Sequence, residues 1–248
     1  MNDTVIITTN ALQKSFGQYE VLNGLSVSIS KGIIYGLLGE NGAGKTTFMK
    51  ILIGLLKPSK GDVYICGKNI AGQDRKYLSK IGSLIEVPAF YEWLTVGENL
   101  SLHCDYLSKS NYDKIPGILD AVGIPGTENK KIKELSLGMM QRLAIGRALL
   151  GEPEILILDE PINGIDPKGI IEIRNLLLQL KREQALTILL SSHIISELEK
   201  IADIIGIMHN GKIISEIPKA IFEKDDFDFE KQFLTLTQNL NGERVNGN

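Results

Sequence analysis

The sequence predicts an α/β fold. It has a mostly parallel sheet at its core, an N-terminal antiparallel β-subdomain and an inserted α-helical subdomain. Three observations predict this. Residues 33–38 form an apolar run that enters a glycine-rich turn and then an amphipathic helix from Lys45. Residues 155–158 (Ile-Leu-Ile-Leu) are apolar without a break, which requires burial on both faces, as in a central parallel strand. Between about residues 88 and 150 the pattern turns mainly helical, interrupting the strands on either side.

Taken in order, residues 5–16 alternate loosely and read as a strand ending in a turn at Gly17. Residues 21–29 contain a second strand over 25–29, closed by Lys31-Gly32. Two strands this early point to a small antiparallel sheet attached to the core. The stretch Gly39-Glu40-Asn41-Gly42-Ala43-Gly44-Lys45-Thr46-Thr47 then fits G-x-x-x-x-G-K-S/T in its required setting, strand before and helix after. Its glycines bring backbone N–H groups close to phosphate oxygens, and the helix N-terminus adds partial positive charge. Lys45 is placed to reach the β- and γ-phosphates and the Thr46 hydroxyl to ligate Mg²⁺. The core is therefore that of a P-loop NTPase. Phe16 is a candidate for stacking on adenine, against the plainer reading of a core aromatic.

Residues 61–65 read as a further strand, and the apolar run 81–85 ends at Glu86. Thr95-Val96-Gly97-Glu98 is a capping-box pattern, with helical spacing through Leu107, and residues 112–122 are another helix candidate. Ser136 is a plausible N-cap for the helical run through Leu150. The apolar strand 155–158 ends in two carboxylates, beyond the carboxyl end where ligands of such sheets sit. Asp159 is placed for the Mg²⁺ shell and Glu160 for polarising the attacking water. Asp166-Pro167 starts a helix, as N-cap and first-turn proline. Residues 186–190 are one more buried strand, with Ser191, Ser192 and His193 just past its end. Residues 204–208 and 212–217 frame Asn210-Gly211, a hairpin signal. Residues 223–230 are acidic with interleaved phenylalanines, a solvated helix or turn, and residues 239–248 are expected to be mobile.

Composition bounds the function. The 248 residues carry 43% apolar and 23% charged side chains, a net charge of −3 and a pI near 5.7. That balance argues against a broad nucleic-acid footprint. Cys66 and Cys104 have no metal-like spacing and read as reduced thiols of a cytoplasmic protein. No apolar run approaches the ~18–20 residues that cross a bilayer.

Five ordered elements carry a resemblance: the phosphate loop, residues 135–142 (Leu-Ser-Leu-Gly-Met-Met-Gln-Arg), the carboxylate strand, the Gly164-Ile165-Asp166 loop and His193. The chain resembles the ATP-binding subunit of an ABC transporter over nearly its whole length. The resemblance implies an ABC-type ATPase domain over residues 1–222 and a short C-terminal extension over 223–248. It implies ATP and Mg²⁺ as cofactors, and a head-to-tail homodimer with ATP sandwiched between subunits. Separate membrane-spanning permease subunits, to which the chain would sit peripherally at the inner face of the cell membrane, complete the assembly; nucleic acid has no part in it. Nucleotide contacts fall on Phe16, Gly39, Asn41, Gly42, Ala43, Gly44, Lys45, Thr46 and Thr47. Ser136, Gly138 and Gln141 would meet the ATP of the partner, Asp166 lies in the dimer loop, and Glu160 and His193 are catalytic. Thr46 and Asp159 would hold the metal, with Glu86, in the coupling loop, a further candidate ligand.

The chain departs from the family pattern at Leu137 and Met139 in the signature, at Ile162, and at Glu86, where most members carry glutamine. Glu86 is similar to the lantibiotic-immunity and bacitracin-resistance exporters. The rival readings are exporters of other drugs or lipids, a soluble ABC ATPase without a permease, and a nucleotide-regulated binding module without turnover. Translation factors of the soluble type carry two such domains and repair ATPases a long coiled-coil insertion. This chain shows neither.

Overall fold

The computed structural model describes residues 4–70, 75–107, 111–224, 227–229 and 231–236. The first sheet is antiparallel and runs in the order β2 (Tyr19–Ser30), β1 (Val5–Phe16), β4 (Lys60–Ile65), β5 (Lys68–Asn69). β2 is longer than its apolar core 25–29 predicted. It pairs with β1 from Val5↔Ser30 to Phe16↔Tyr19, with register shifts that absorb its polar start.

The second sheet holds the core. Its order is β10 (Lys212–Pro218), β9 (Ile204–His209), β3 (Ile34–Leu38), β8 (Thr187–Ser192), β7 (Ile155–Leu158), β6 (Ile81–Leu84). Every pairing is parallel except β10 with β9, the hairpin that Asn210-Gly211 signalled. β8 runs on to Ser192, so Ser191 and Ser192 lie inside the strand rather than past its end. Their backbone is drawn into the ladder opposite Leu37 and Leu38.

Strand alternation divides the core between two faces. Leu156 and Leu158 of β7 pack with the helices; Ile155 and Ile157 pack with the antiparallel sheet and α1 (Lys45–Leu52). Tyr35 is fully buried and reaches across Gly206, donating a 2.8 Å hydrogen bond to Glu216 Oε1. A Cβ on Gly206 would stand 2.1 Å from its hydroxyl oxygen. Burial first, then the Glu216 charge, holds the phenol well above its ordinary pKa.

α2 (Val96–Tyr106), α3 (Ile115–Ala121) and α4 (Leu137–Leu149) all fall between β6 and β7, which nevertheless pair directly from Ile81↔Ile155 to Leu84↔Leu158. Both halves of the Thr95/Glu98 capping box are formed, at 3.1 and 2.6 Å. The predicted helix over 112–122 opens as a 3-10 turn at Tyr112–Lys114 before α3 begins. Pro116 lacks an N–H and belongs in a first turn, so the regular ladder starts around it.

α5 (Pro167–Gln184), α6 (Ile195–Leu198) and α7 (Lys219–Phe222) follow. Phe222, the last residue of α7, and Phe229 beyond it are buried, and Phe227 meets Phe229 edge-on at 5.7 Å. The phenylalanines thus anchor the acidic stretch. The expected mobile tail over 239–248 lies outside the described residues.

Candidate nucleotide site

The site is assembled where β3, β7 and β8 end. β3 runs into the glycine-rich loop, and α1 starts at Lys45 with Gly44 as its N-cap at φ +107. A Cβ on Gly44 would stand 2.8 Å from Met208 Cε and 2.9 Å from Leu22 Cδ2, side-chain ends that can yield, so it is the left-handed backbone that demands glycine. No side chain caps α1, which leaves its first-turn N–H groups available to an anion.

Lys45 is buried, its Nζ donating to the carbonyls of Gly39 (2.6 Å) and Glu40 (3.2 Å). It also lies 3.3 Å from Glu160 Oε1. Thr46 Oγ1 donates to Asp159 Oδ2 at 2.6 Å. Ser191 Oγ donates to Asp159 Oδ1 at 2.7 Å and accepts the Glu160 N–H at 2.8 Å. Glu160 sits at φ +48, and His193 Nδ1 lies 3.0 Å from its Oε2. Its Oε1 is buried and has no hydrogen-bond partner among the described residues. The Lys45 ammonium beside it offsets part of the cost of burying this oxygen without a well-aligned hydrogen bond.

Beside this network lies a cavity of about 310 Å³, lined by Tyr19, Val21, Asn41, Gly42, Gly44, Lys45, Thr46, Thr47 and Glu160 among others. The residues present fit a magnesium ion. Thr46 and Asp159 offer adjacent hard oxygens. No cluster of three or more His, Cys, Asp or Glu side chains able to hold a metal occurs among the described residues, so an ion here would take further ligands from phosphate and water.

Other predicted residues stand apart from the cavity. Phe16 ends β1, 48% exposed, with Lys14 Nζ 4.9 Å from its ring centroid. Its cross-strand partner Tyr19, 76% exposed, is the aromatic that lines the cavity. Glu86, at φ +64, pairs through Oε1 with Lys50 Nζ at 2.5 Å. Ser136 caps α4 by accepting the Met139 N–H at 3.3 Å. Ser136 is exposed and Gly138 half-buried, whereas Gln141 is buried within the chain. The start of α4 packs on the 164–166 loop: Leu137 Cδ2 and Ile165 Cγ2 each come within 3.5 Å of a Cβ built on Gly164 and Gly138. Asp166 Oδ1 caps α5 by accepting the Gly169 N–H at 2.9 Å.

Two contacts escaped the sequence. Ser191 joins both carboxylate residues, and its one signal was a hydroxyl near the end of a buried strand. Lys50 follows Thr46 by four residues and so shares its helix face, but no local pattern pointed to Glu86 as its partner. A larger cavity, about 390 Å³, lies on the helical insertion against Phe90, Tyr91, His103 and Arg147. Its lining among the described residues includes no carboxylate. Burial, then the Arg147 charge, keeps the His103 imidazole below its ordinary pKa.

A phosphate loop, a serine-tied carboxylate pair and a histidine at the ends of parallel strands are the arrangement of a P-loop nucleotide-hydrolysing protein. The chain belongs to the ABC transporter family, which matches residues 22–163. It is 45% identical over 215 residues to the bacitracin transport ATP-binding protein BcrA of Bacillus licheniformis, covering 87% of this chain and 70% of that one. It is 43% identical over 205 residues to the lantibiotic transport ATP-binding protein SrtF of Streptococcus pyogenes, covering 83% and 87%. Among solved structures it is similar to an ATP-binding subunit of an ABC transporter, with TM-score 0.81, 28% identity and coverage of 93% and 99%. A dimeric post-hydrolysis ATP-binding cassette bound to ADP and Pi is also similar, with TM-score 0.76, 25% identity and coverage of 86% and 99%. The chain is thus an ABC ATP-binding subunit that binds and hydrolyses ATP. No helix among the described residues is long and apolar enough to cross a membrane.

Proposed function

We propose that this subunit drives export of a peptide antibiotic of the bacitracin or lantibiotic type. It would act as a homodimer on separate permease subunits at the inner face of the cell membrane. The observation that carries the catalytic half is the continuous network Thr46–Asp159–Ser191–Glu160–His193 beside Lys45. The cargo half rests on the bacitracin and lantibiotic transport relatives and on Glu86.

In this reading the N–H groups of Asn41 to Thr47 and Lys45 Nζ hold the phosphates. Thr46 and Asp159 hold Mg²⁺, which when bound neutralises charge along the phosphates. Glu160 takes a proton from the attacking water, with Oε1 as the receiving atom and His193 holding Oε2. Ser136 and Gly138 lie away from the cavity of their own chain and complete the site of a partner, whose signature helix presents its N-terminus to the γ-phosphate. Asp166 shapes the adjoining dimer loop. Gln141, being buried, supports the signature helix from inside.

Tyr19 rather than Phe16 lines the cavity, so the base-stacking role moves to Tyr19. Tyr19→Ala is expected to weaken ATP binding by about 1–2 kcal/mol, the order of a stacking contact, and Phe16→Ala by less. Calorimetric titration of both variants decides this; the reverse order would return the role to Phe16.

The function itself is tested at Glu86, which joins the ATP site to the helical insertion. Glu86→Gln removes its charge against Lys50 while keeping size. Basal hydrolysis should change only modestly, whereas resistance of cells carrying the subunit with its permease should fall by about tenfold, a typical coupling loss. Equal effects on both would make Glu86 catalytic. Absence of any peptide-antibiotic resistance conferred by the unaltered pair would overturn the cargo assignment.

A further inference from the structure

The Asn210-Gly211 turn does more than close a hairpin. Its glycine bonds, through both main-chain groups, to the two segments that border the nucleotide site. The Gly211 N–H donates to the Ala43 carbonyl in the phosphate loop at 3.0 Å, and the Gly211 carbonyl accepts the Asn23 N–H of β2 at 3.1 Å. Two other β2 residues, Tyr19 and Val21, line the cavity. The approach is close: a Cβ on Gly211 would stand 2.2 Å from the Val21 carbonyl oxygen and 2.8 Å from Leu22 Cα. These are backbone atoms, which cannot swing aside, and the residue sits at φ +74. The strand that leads into the turn also bears on the loop, through Met208 against Gly44.

We propose that Gly211 is a positioning residue for the nucleotide. Its main chain clamps the phosphate loop to β2 and so sets the separation between the phosphate end and the base end of the cavity. Gly211 offers nothing to the ligand directly; it acts through Ala43 on one side and through Val21 and Tyr19 on the other. The inference rests on ATP occupying this cavity. A side chain at 211 pushes β2 outward, while the bonds inside the phosphate loop, such as Lys45 to Gly39, stay in place.

The test compares MgATP with magnesium tripolyphosphate, which has the phosphates without base or ribose. Gly211→Ala is expected to weaken ATP binding by about tenfold, the order of one base-stacking contact, with tripolyphosphate affinity retained. A merely structural role would weaken both together. Equal losses, or no loss of either, overturn the clamp. Circular dichroism checks folding. If Gly211→Ala does not fold, Asn210→Ala strains the same turn at φ +47 and should move the ATP-to-tripolyphosphate ratio in the same direction. An unchanged ratio there overturns the proposal as well. Wild-type protein that binds tripolyphosphate but not ATP would instead defeat the assignment of the cavity to ATP.

Discussion

Glu160→Gln is expected to lower ATP hydrolysis by about 10²–10⁴-fold while ATP still binds. The amide keeps the shape of the carboxylate but cannot accept a proton from water. The backbone anchor survives, because Ser191 Oγ accepts the residue-160 N–H, not the side chain. The phosphate loop loses nothing except the charge that Lys45 faces at 3.3 Å. With hydrolysis stopped and binding kept, the ATP-bound dimer should accumulate on gel filtration in MgATP. A variant that hydrolyses ATP at near wild-type rate would remove Glu160 from the base role. A variant that stays monomeric well above its ATP affinity would count against the sandwich.

Lys45→Ala should have the other large effect, on binding itself. Lys45 Nζ is held by two carbonyls and stands beside the Glu160 carboxylate, so it is fixed in place before ligand arrives. A charge-assisted contact of this kind is worth up to about 3 kcal/mol, so ATP affinity should fall by about 10²-fold. The variant also leaves Glu160 Oε1 buried with no counter-charge, and thermal unfolding without nucleotide should begin at lower temperature. Equilibrium binding of a fluorescent ATP analogue separates the two variants: Glu160→Gln retains it and Lys45→Ala loses it. Retained affinity in Lys45→Ala would show that the loop N–H groups alone carry the phosphates.

Much of the site was legible because its parts are short and local. The phosphate loop holds its glycines, lysine and threonine within nine consecutive residues, and a strand before and a helix after leave one geometry for them. The caps at Thr95, Ser136 and Asp166 were readable for the same reason, since each accepts an N–H three residues on. Asp159 and Glu160 were readable because the uninterrupted apolar strand before them had to be central. The 3-10 start at Tyr112 was not, because it depends on how Pro116 divides a stretch whose apolar spacing looks continuous.

The sequence by itself therefore determined the class of fold, the phosphate loop and the identity of the two carboxylates, because near-neighbour sterics and strand burial decide those. Tertiary structure alone decided how the parts meet. Ser191 bonds Asp159 across 32 residues, Lys50 takes Glu86 across 36, and Gly211 reaches Ala43 from the far end of the chain. It also decided which aromatic lines the cavity, since Phe16 and Tyr19 share one hairpin end and only the twist and register of β1 on β2 separate them. Local pattern constrains a residue's neighbours within a turn or two. Contacts over such spans depend on sheet order and packing, which periodicity does not encode.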